Sequence, residues 1–384
     1  MNLTENWNET KTALTDGLEG NKKVVMEQTL ENTKSYLTET ASAGTTMAGN
    51  IATLNKVILP VIRRVMPTVI ANELVGVQPM TGPVGQIHTL RVRYAETFDS
   101  ATSGDEALSP FSIATGYSGN ATTNAADATS TLEATAGKKL SIQVLKQTVE
   151  AKTRKLSARW TFEAAQDANS MHGLDVEAEV MAALAQEITA EIDQEILASL
   201  RSLAGTPSLT YNQAGVSGTA TFVGDEHAAF AVLVNRAANL IAARTRRGAG
   251  NYLVVSPAML TVLQSATTSA FARTTEGPFE APTNTKFVGT LNGTMRVYAD
   301  QYASDSTVAL VGYKGSGEMD APAYYCPYIP LMSSGVVMDP STFEPVVSFM
   351  TRYGYTELSN QASSLGNAAD YVEGITINSG NLSF

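Results

Sequence analysis

The chain has 384 residues, 43% hydrophobic and 16% charged, enough apolar content for one large core or several smaller ones and too much for wholesale disorder. No run of about 20 apolar residues is present, and the polar start from Met1 to Gly20 lacks a signal-peptide pattern, so the sequence reads as a soluble protein made inside a cell. With 26 basic and 37 acidic residues the net charge of −11 disfavours a dedicated nucleic-acid binder, and the one cysteine, Cys326, excludes a disulfide within the chain.

The first fifty residues read as an arm. Asn21 to Tyr36 predicts a helix with a thin apolar stripe, which needs packing to persist, and Thr40 to Asn50 has linker composition. Ile51 to Leu74 is helical in composition but broken by Pro60 and Pro67. After a turn-rich stretch, Ile87 to Ala95 alternates as a strand. Thr97 to Gly137 is a long loop of small and polar residues, and Lys138 to Val144 returns as a strand. Strand, loop and strand together predict a protruding β-hairpin. Ala158 to Asn169 reads as mixed, then helical.

The strongest local signal follows. Asp175 is a good N-cap, and Val176, Val180, Leu184, Ile188, Ile192 and Ile196 recur every fourth residue, predicting a helix about 45 Å long. A second helix runs from Asp225 to about Arg246, ended by arginines and Gly248. Strands are expected at 252–256, 286–291, 294–299 and 307–313, with a short helix at 259–264 and a hairpin turn at Asn292–Gly293. Extended pieces follow near 323–332 and 346–355, and from Ser359 the chain reads as a polar tail. The fold class is α+β.

Catalytic chemistry is not signalled. His88, His172 and His227 share no metal-ligand spacing, and no phosphate-binding loop or nucleophile elbow occurs. Glu187, Glu191 and Glu195 share a helical face, but the Glu-x-x-His partners of a di-metal site are missing, so they read as a solvated or partner-facing stripe. Arg244, Arg246 and Arg247 are explained by capping, and Cys326, beside Tyr324, Tyr325 and Tyr328, reads as a small buried hydrophobe. No catalytic residue, cofactor or metal is expected.

Seven stretches occur in an order that resembles the major capsid proteins of T-even-type tailed bacteriophages. They are GVQPMTGPVGQI (76–87), VEAKTRKLSARWTFEAAQD (149–167), HGLDVEAE (172–179), TRRGAGN (245–251), VYADQYASD (297–305), VGYKGSGEMDAPAYYCPY (311–328) and FEPVVSFMTRYG (343–354). Any one is weak, but seven in a common order are specific. The resemblance implies a Hong Kong-97-type capsid fold. Residues 1–75 would then be an N-terminal arm with lead-in helices, and 96–147 an E-loop. A peripheral domain would take 76–95, 148–205 with a spine helix, and 322–358. An axial domain would take 206–321, and 359–384 would be a C-terminal tail. There is no room for an extra domain inserted in the E-loop region.

The function so implied is a shell subunit, forming hexamers tiled into an icosahedral shell, isometric or prolate, around double-stranded DNA. An acidic lining would let packaged DNA slide without sticking. The alternatives are a vertex paralogue of the same fold or an encapsulin-like compartment. The implied partners are other copies of the chain, a vertex protein, portal, scaffold and decoration proteins, with no membrane. The implied location is the virion, after assembly in the bacterial host cytoplasm. Candidate inter-subunit contacts are Asp99, Asp105 and Glu106 on the E-loop, with Asp127 and Glu133, facing Lys152, Arg154, Lys155 or Arg159 of a neighbour. The resemblance implies a processing pattern that Leu37-Thr38-Glu39 fits and Leu3-Thr4-Glu5 fits too, and the expectation is an arm that stays attached and crosses to neighbours.

Overall fold

A computed structural model describes residues 7–15, 18, 20–42, 69–98, 101–107, 114–120, 122–133, 136–172, 175–213, 223–266, 271–273, 286–317, 320–358, 367–378 and 382. In chain order its elements begin with α1 (Trp7–Thr15), α2 (Asn21–Ser42), α3 (Ala71–Leu74), β1 (Gly76–Val77), β2 (Val84–Tyr94) and α4 (Thr129–Leu132). β3 (Leu140–Glu150), β4 (Lys152–Arg159), α5 (Phe162–His172), α6 (Val176–Ala204) and β5 (Leu209–Tyr211) follow. Then come α7 (Val223–Thr245), β6 (Tyr252–Val255), α8 (Pro257–Ser265), β7 (Phe271–Arg273), β8 (Lys286–Leu291), β9 (Met295–Ala299) and β10 (Ala309–Gly312). The last are β11 (Ala323–Ser333), β12 (Val337–Met338), β13 (Pro345–Glu357), a 3₁₀ turn (Ala368–Tyr371) and β14 (Val372–Ile377).

Two compact units interleave along the chain. The first takes Met1–Gly85, Val149–Ser199 and Tyr324–Thr356; the second takes Gln86–Thr148, Leu200–Ala323 and Glu357–Phe384.

In the first unit a five-stranded sheet runs β1-β11-β13-β12, with β4 also on β13. β13 buries Pro345, Val347, Phe349, Thr351 and Tyr353 in alternation, the period of a strand with one face in a core. β4 pairs antiparallel with it from Val346↔Arg159 to Tyr353↔Lys152. The expected arm is docked on its own unit over part of its length. α2 buries Val25, Met26, Thr29 and Leu30, and the Asn32 amide donates to the carbonyls of Met80 (2.7 Å) and Tyr328 (2.8 Å). α2 stays helical through Glu39 to Ser42, so Glu39 stands in a helix and not in an extended linker. Residues 43–68, including most of the expected broken helices, lie outside the described residues. At the start of α6 the Asp175 carboxylate accepts from the Glu177 amide at 3.1 Å, the expected N-cap.

In the second unit a seven-stranded sheet has the order β5-β14-β10-β6-β9-β8-β7. Its core joins Phe230, Val234, Ala237 and Ile241 of α7 and Met259, Val262 and Leu263 of α8 to Leu253, Val255, Val297, Val311 and Ile375 of the strands. Asn292 and Gly293, both at positive φ (54° and 73°), turn β8 into β9 as expected. Ser256 caps α8 by accepting from the Met259 amide. Gly312 leaves room for the Tyr252 ring, since a Cβ there would stand 2.1 Å from it. Residues 372–377, expected in a polar tail, form β14 between β5 and β10.

Just before β14, Asp370 is buried and its Oδ2 makes no hydrogen bond among the described residues. Burial raises this carboxyl above its ordinary 3.8, against the pull of the Asn367 backbone and Arg244. Below pH 3.8 the group is protonated in folded and unfolded chains alike. Above that value the unfolded chain loses the proton first, so the penalty appears and grows until the pH passes the folded value. Asp370→Asn is therefore expected to raise the thermal midpoint at pH 7 by about 1–3 °C, with the gain shrinking toward pH 4. Melts at the two pH values measure this; an equal or opposite change at both would contradict it.

Candidate functional site

The hairpin of β2 and β3 is the first candidate surface. Ala95 donates to the Lys139 carbonyl at 3.1 Å and Ser141 Oγ to the Arg93 carbonyl at 3.4 Å, so the strands run in opposite directions. Alternation then sets Leu140, Ile142 and Val144 on one face of β3, exposed at 55%, 68% and 60%, with Leu90 of β2 at 66%. Four large aliphatic side chains thus form an exposed apolar stripe on a two-stranded sheet.

The loop between these strands, expected to be a bare polar excursion, carries a small core of its own. Tyr94, Ala101, Ala107 and Tyr117 are buried together with Phe98 packed against them, and the Tyr94 and Tyr117 rings lie 4.6 Å apart. Tyr117 donates to the Lys139 carbonyl at 2.7 Å, and the Lys138 ammonium sits over the Phe98 ring. Beneath this, Arg91 and Glu106 form an ion pair at 3.2 Å with side chains only 3% and 9% exposed.

The second candidate is the charged meeting of β4 with α6. Arg154 reaches Glu191 at 2.7 Å, bonds Glu195, and donates to the Tyr353 hydroxyl. Burial alone would raise the Glu195 carboxyl, but hydrogen bonds from Arg154 and Tyr353 hold it below the usual carboxylate range. Burial and the same carboxylate push Tyr353 well above the usual phenol range. The acidic stripe of α6 is thus partly met within its own unit by an arginine of the neighbouring strand.

The individual candidates separate on these facts. Arg154 is engaged within the chain, and Glu106 is buried against Arg91. Asp105 accepts from the Thr102 amide at 2.9 Å. Lys152 and Lys155 are exposed along β4, and Arg159, 70% exposed, stands 3.8 Å from Glu344. Asp127 and Glu133 are exposed or partly so, and Asp99 lies outside the described residues. The arginines at the end of α7 do more than cap it. Arg244 pairs with buried Glu373 of β14 at 2.5 Å, and Arg247 with Asp320 at 2.6 Å. The engagement of Arg154 and Glu106 was hidden in sequence, since their partners lie tens to hundreds of residues away or follow no helical spacing.

His88 lies on β2 and His172 ends α5, while His227 is buried with its ring nitrogens 3.3 Å from the Gln213 amide and 2.6 Å from Ser265 Oγ. Among the described residues no group of three or more His, Cys, Asp or Glu is placed to hold a metal, and no helix is long and apolar enough to cross a membrane. Burial pushes the Cys326 thiol up to about 11, a value that keeps it protonated and unreactive.

A family profile described as Major capsid protein Gp23 matches residues 51–137 and 113–379. The major capsid protein of Vibrio phage KVP40 is 30% identical over 414 aligned residues, which cover 84% of this chain and 80% of that one. The major capsid protein of Enterobacteria phage T4 is also 30% identical, over 411 residues covering 83% and 78%. Among solved structures, the capsid of Myoviridae phage XM1 is similar at 10% identity and a TM-score of 0.45, covering 80% of this chain and 91% of that one. A Mycobacterium phage Cain structure is similar at 11% identity and a TM-score of 0.46, covering 81% and 90%.

Proposed function

The chain belongs to the Gp23 family of major capsid proteins, and on that premise we propose that it assembles as hexamers into the icosahedral shell of a tailed bacteriophage, around double-stranded DNA. The observation that carries the assembly is the exposed stripe of Leu90, Leu140, Ile142 and Val144, which a lone subunit gains nothing by presenting to water. The hairpin of β2 and β3 with the loop between them, expected over 96–147, takes the part of the E-loop. α6 is the spine helix of a peripheral domain, and 206–321, completed by β14, form the axial domain in a Hong Kong-97-type arrangement. Lys152, Lys155 and Arg159, exposed on β4, are the cations that acidic residues of a neighbour's hairpin would meet. Vertex, portal, scaffold and decoration proteins are partners of the shell. The shell forms in the bacterial host cytoplasm and ends in the virion. A net charge of −11 favours loose enclosure of DNA over tight binding. No catalytic residue, cofactor or metal enters this reading.

Electron microscopy of the purified chain is expected to show closed shells or hexameric capsomers, and a dispersed monomer as the only form under all assembly conditions would overturn the proposal. Replacing residues 100–135 by a short Gly/Ser linker is expected to leave a subunit with a cooperative melt that no longer assembles. Shells of normal yield from that variant would refute the contact role of the loop.

A further inference from the structure

Charged side chains from five segments of the second unit act on one another in series. Arg91 lies on β2, Glu106 on the loop that follows it, Arg244 on α7, Asp370 in the 3₁₀ turn and Glu373 on β14. Arg91 holds Glu106 at 3.2 Å, and Arg244 holds Glu373 at 2.5 Å. Asp370 feels both pairs, attracted by Arg244 and repelled by Glu106. Three carboxylates thus share two guanidiniums, and Asp370 is the odd one. It is 8% exposed, and its Oδ2 makes no hydrogen bond among the described residues. Arg244 is committed to Glu373, whose other oxygen accepts from the Ser208 hydroxyl at 2.9 Å. The Asn367 backbone is left as the hydrogen-bonding support of the Asp370 carboxylate.

The two sides of this odd charge differ in firmness. β14 lies inside the seven-stranded sheet, and α7 packs into that sheet's core. Glu106 instead rides on a short segment bridged to β2 at Arg93, in a hairpin whose sheet has two strands. Across this join the amides of Tyr94 and Ala107 donate to the carbonyls of Asp105 and Val92. A two-stranded sheet is marginal alone, so this segment is the one that yields to a charge pushing on Glu106.

We propose that Asp370 is a proton-operated latch on the root of the hairpin: with a proton bound it leaves Glu106 seated on Arg91, and on losing the proton it loosens the segment that carries Glu106. The hairpin also bears Leu90, Leu140, Ile142 and Val144, so the latch sets how firmly that apolar stripe is held. It acts within the lone subunit and does not depend on the shell reading. Moving Glu106 away removes its repulsion, so the open root holds the Asp370 proton less tightly than the closed one. Acid therefore favours the closed root. The preference is complete below the open-state value and fades as pH rises through the closed-state value, which burial and Glu106 set above 3.8. One proton released per opening changes the opening constant by at most about tenfold per pH unit. Protonation of Glu106 itself would act the other way, by weakening its hold on Arg91.

The test uses the full-length chain. Hydrogen exchange at the Tyr94 and Ala107 amides, divided by the intrinsic rates, is expected to slow about three- to tenfold from pH 7 to pH 5 in the wild type. Asp370→Asn is expected to hold the slow, protected level at both pH values. Glu106→Gln is expected to lose the pH dependence as well, at a faster common rate. Reciprocally, the Asp370 carboxyl is followed by NMR in chain carrying labelled aspartate. It is expected to titrate at lower pH in Glu106→Gln than in the wild type, by about one pH unit for each decade of the exchange effect. Exchange at the two amides that is independent of pH, that quickens on acidification, or that keeps its wild-type slope in Asp370→Asn overturns the latch. An Asp370 titration unmoved by Glu106→Gln overturns it too, and that reading needs no variant at position 370 to fold.

Discussion

A chain ended at Leu358 is expected to be insoluble or to lose its cooperative melt, although the residues removed look like a dispensable tail. β14 sits inside the seven-stranded sheet, parallel to β5 at Ile375↔Leu209 and antiparallel to β10 at Ile375↔Ala309. Tyr371, Val372, Ile375 and Ile377 are at most 4% exposed. At about 1.5–3 kcal/mol for each large apolar side chain, their loss is on the order of 6–12 kcal/mol. That is comparable with the whole stability of a typical domain, about 5–15 kcal/mol. Buried Glu373, which holds Arg244 and Ser208, goes with them. Solubility and calorimetry of the truncated chain decide the matter, and a soluble product with a sharp transition near the wild-type temperature would count against it.

Glu106→Ala is expected to have the next largest effect, confined to the hairpin. Removing one member of a buried ion pair strands the other, at a cost of about 3–5 kcal/mol. Here the group that loses this partner is Arg91, 3% exposed. The segment that Glu106 anchors is otherwise joined to β2 by hydrogen bonds such as Tyr94 to Asp105 and Ala107 to Val92, each 2.9 Å. Hydrogen exchange at those two amides is expected to accelerate by two orders of magnitude or more, with the seven-stranded sheet unchanged. Pairing Glu106→Leu with Arg91→Met is expected to recover most of the protection, because apolar groups of similar size remove both charges of this buried pair together. Unaltered exchange in Glu106→Ala would show the pair to be dispensable.

Sequence reading served best where one physical signal acts alone. The apolar recurrence from Val176 to Ile196 specified α6, and the Asn292–Gly293 turn set β8 against β9. It failed where distant partners decide. β4, KTRKLSAR, has polar residues toward both faces and no apolar period, and its eight pairings with β13 make it a strand. β14 is short, holds Glu373 and Gly374, and follows a Ser- and Asn-rich stretch. Its identity comes from its place between two strands that precede it by many residues. The thin stripe of α2 persists because Asn32 bonds two carbonyls remote from it. Among the candidate contacts, residue type and region could be read, but not that Arg154 and Glu106 are already engaged at home.

The interleaving of the two units sets a timetable for synthesis. β1 cannot pair until Tyr324 and Tyr325 have been made, and the seven-stranded sheet waits for Val372 to Ile377. At about 5–20 residues per second, a ribosome needs on the order of tens of seconds to deliver those last strands. Through that interval β5, whose neighbour in the sheet is β14, stands with unsatisfied edges. Neither unit can close before its last segment has been made, so folding of both is deferred to the end of synthesis.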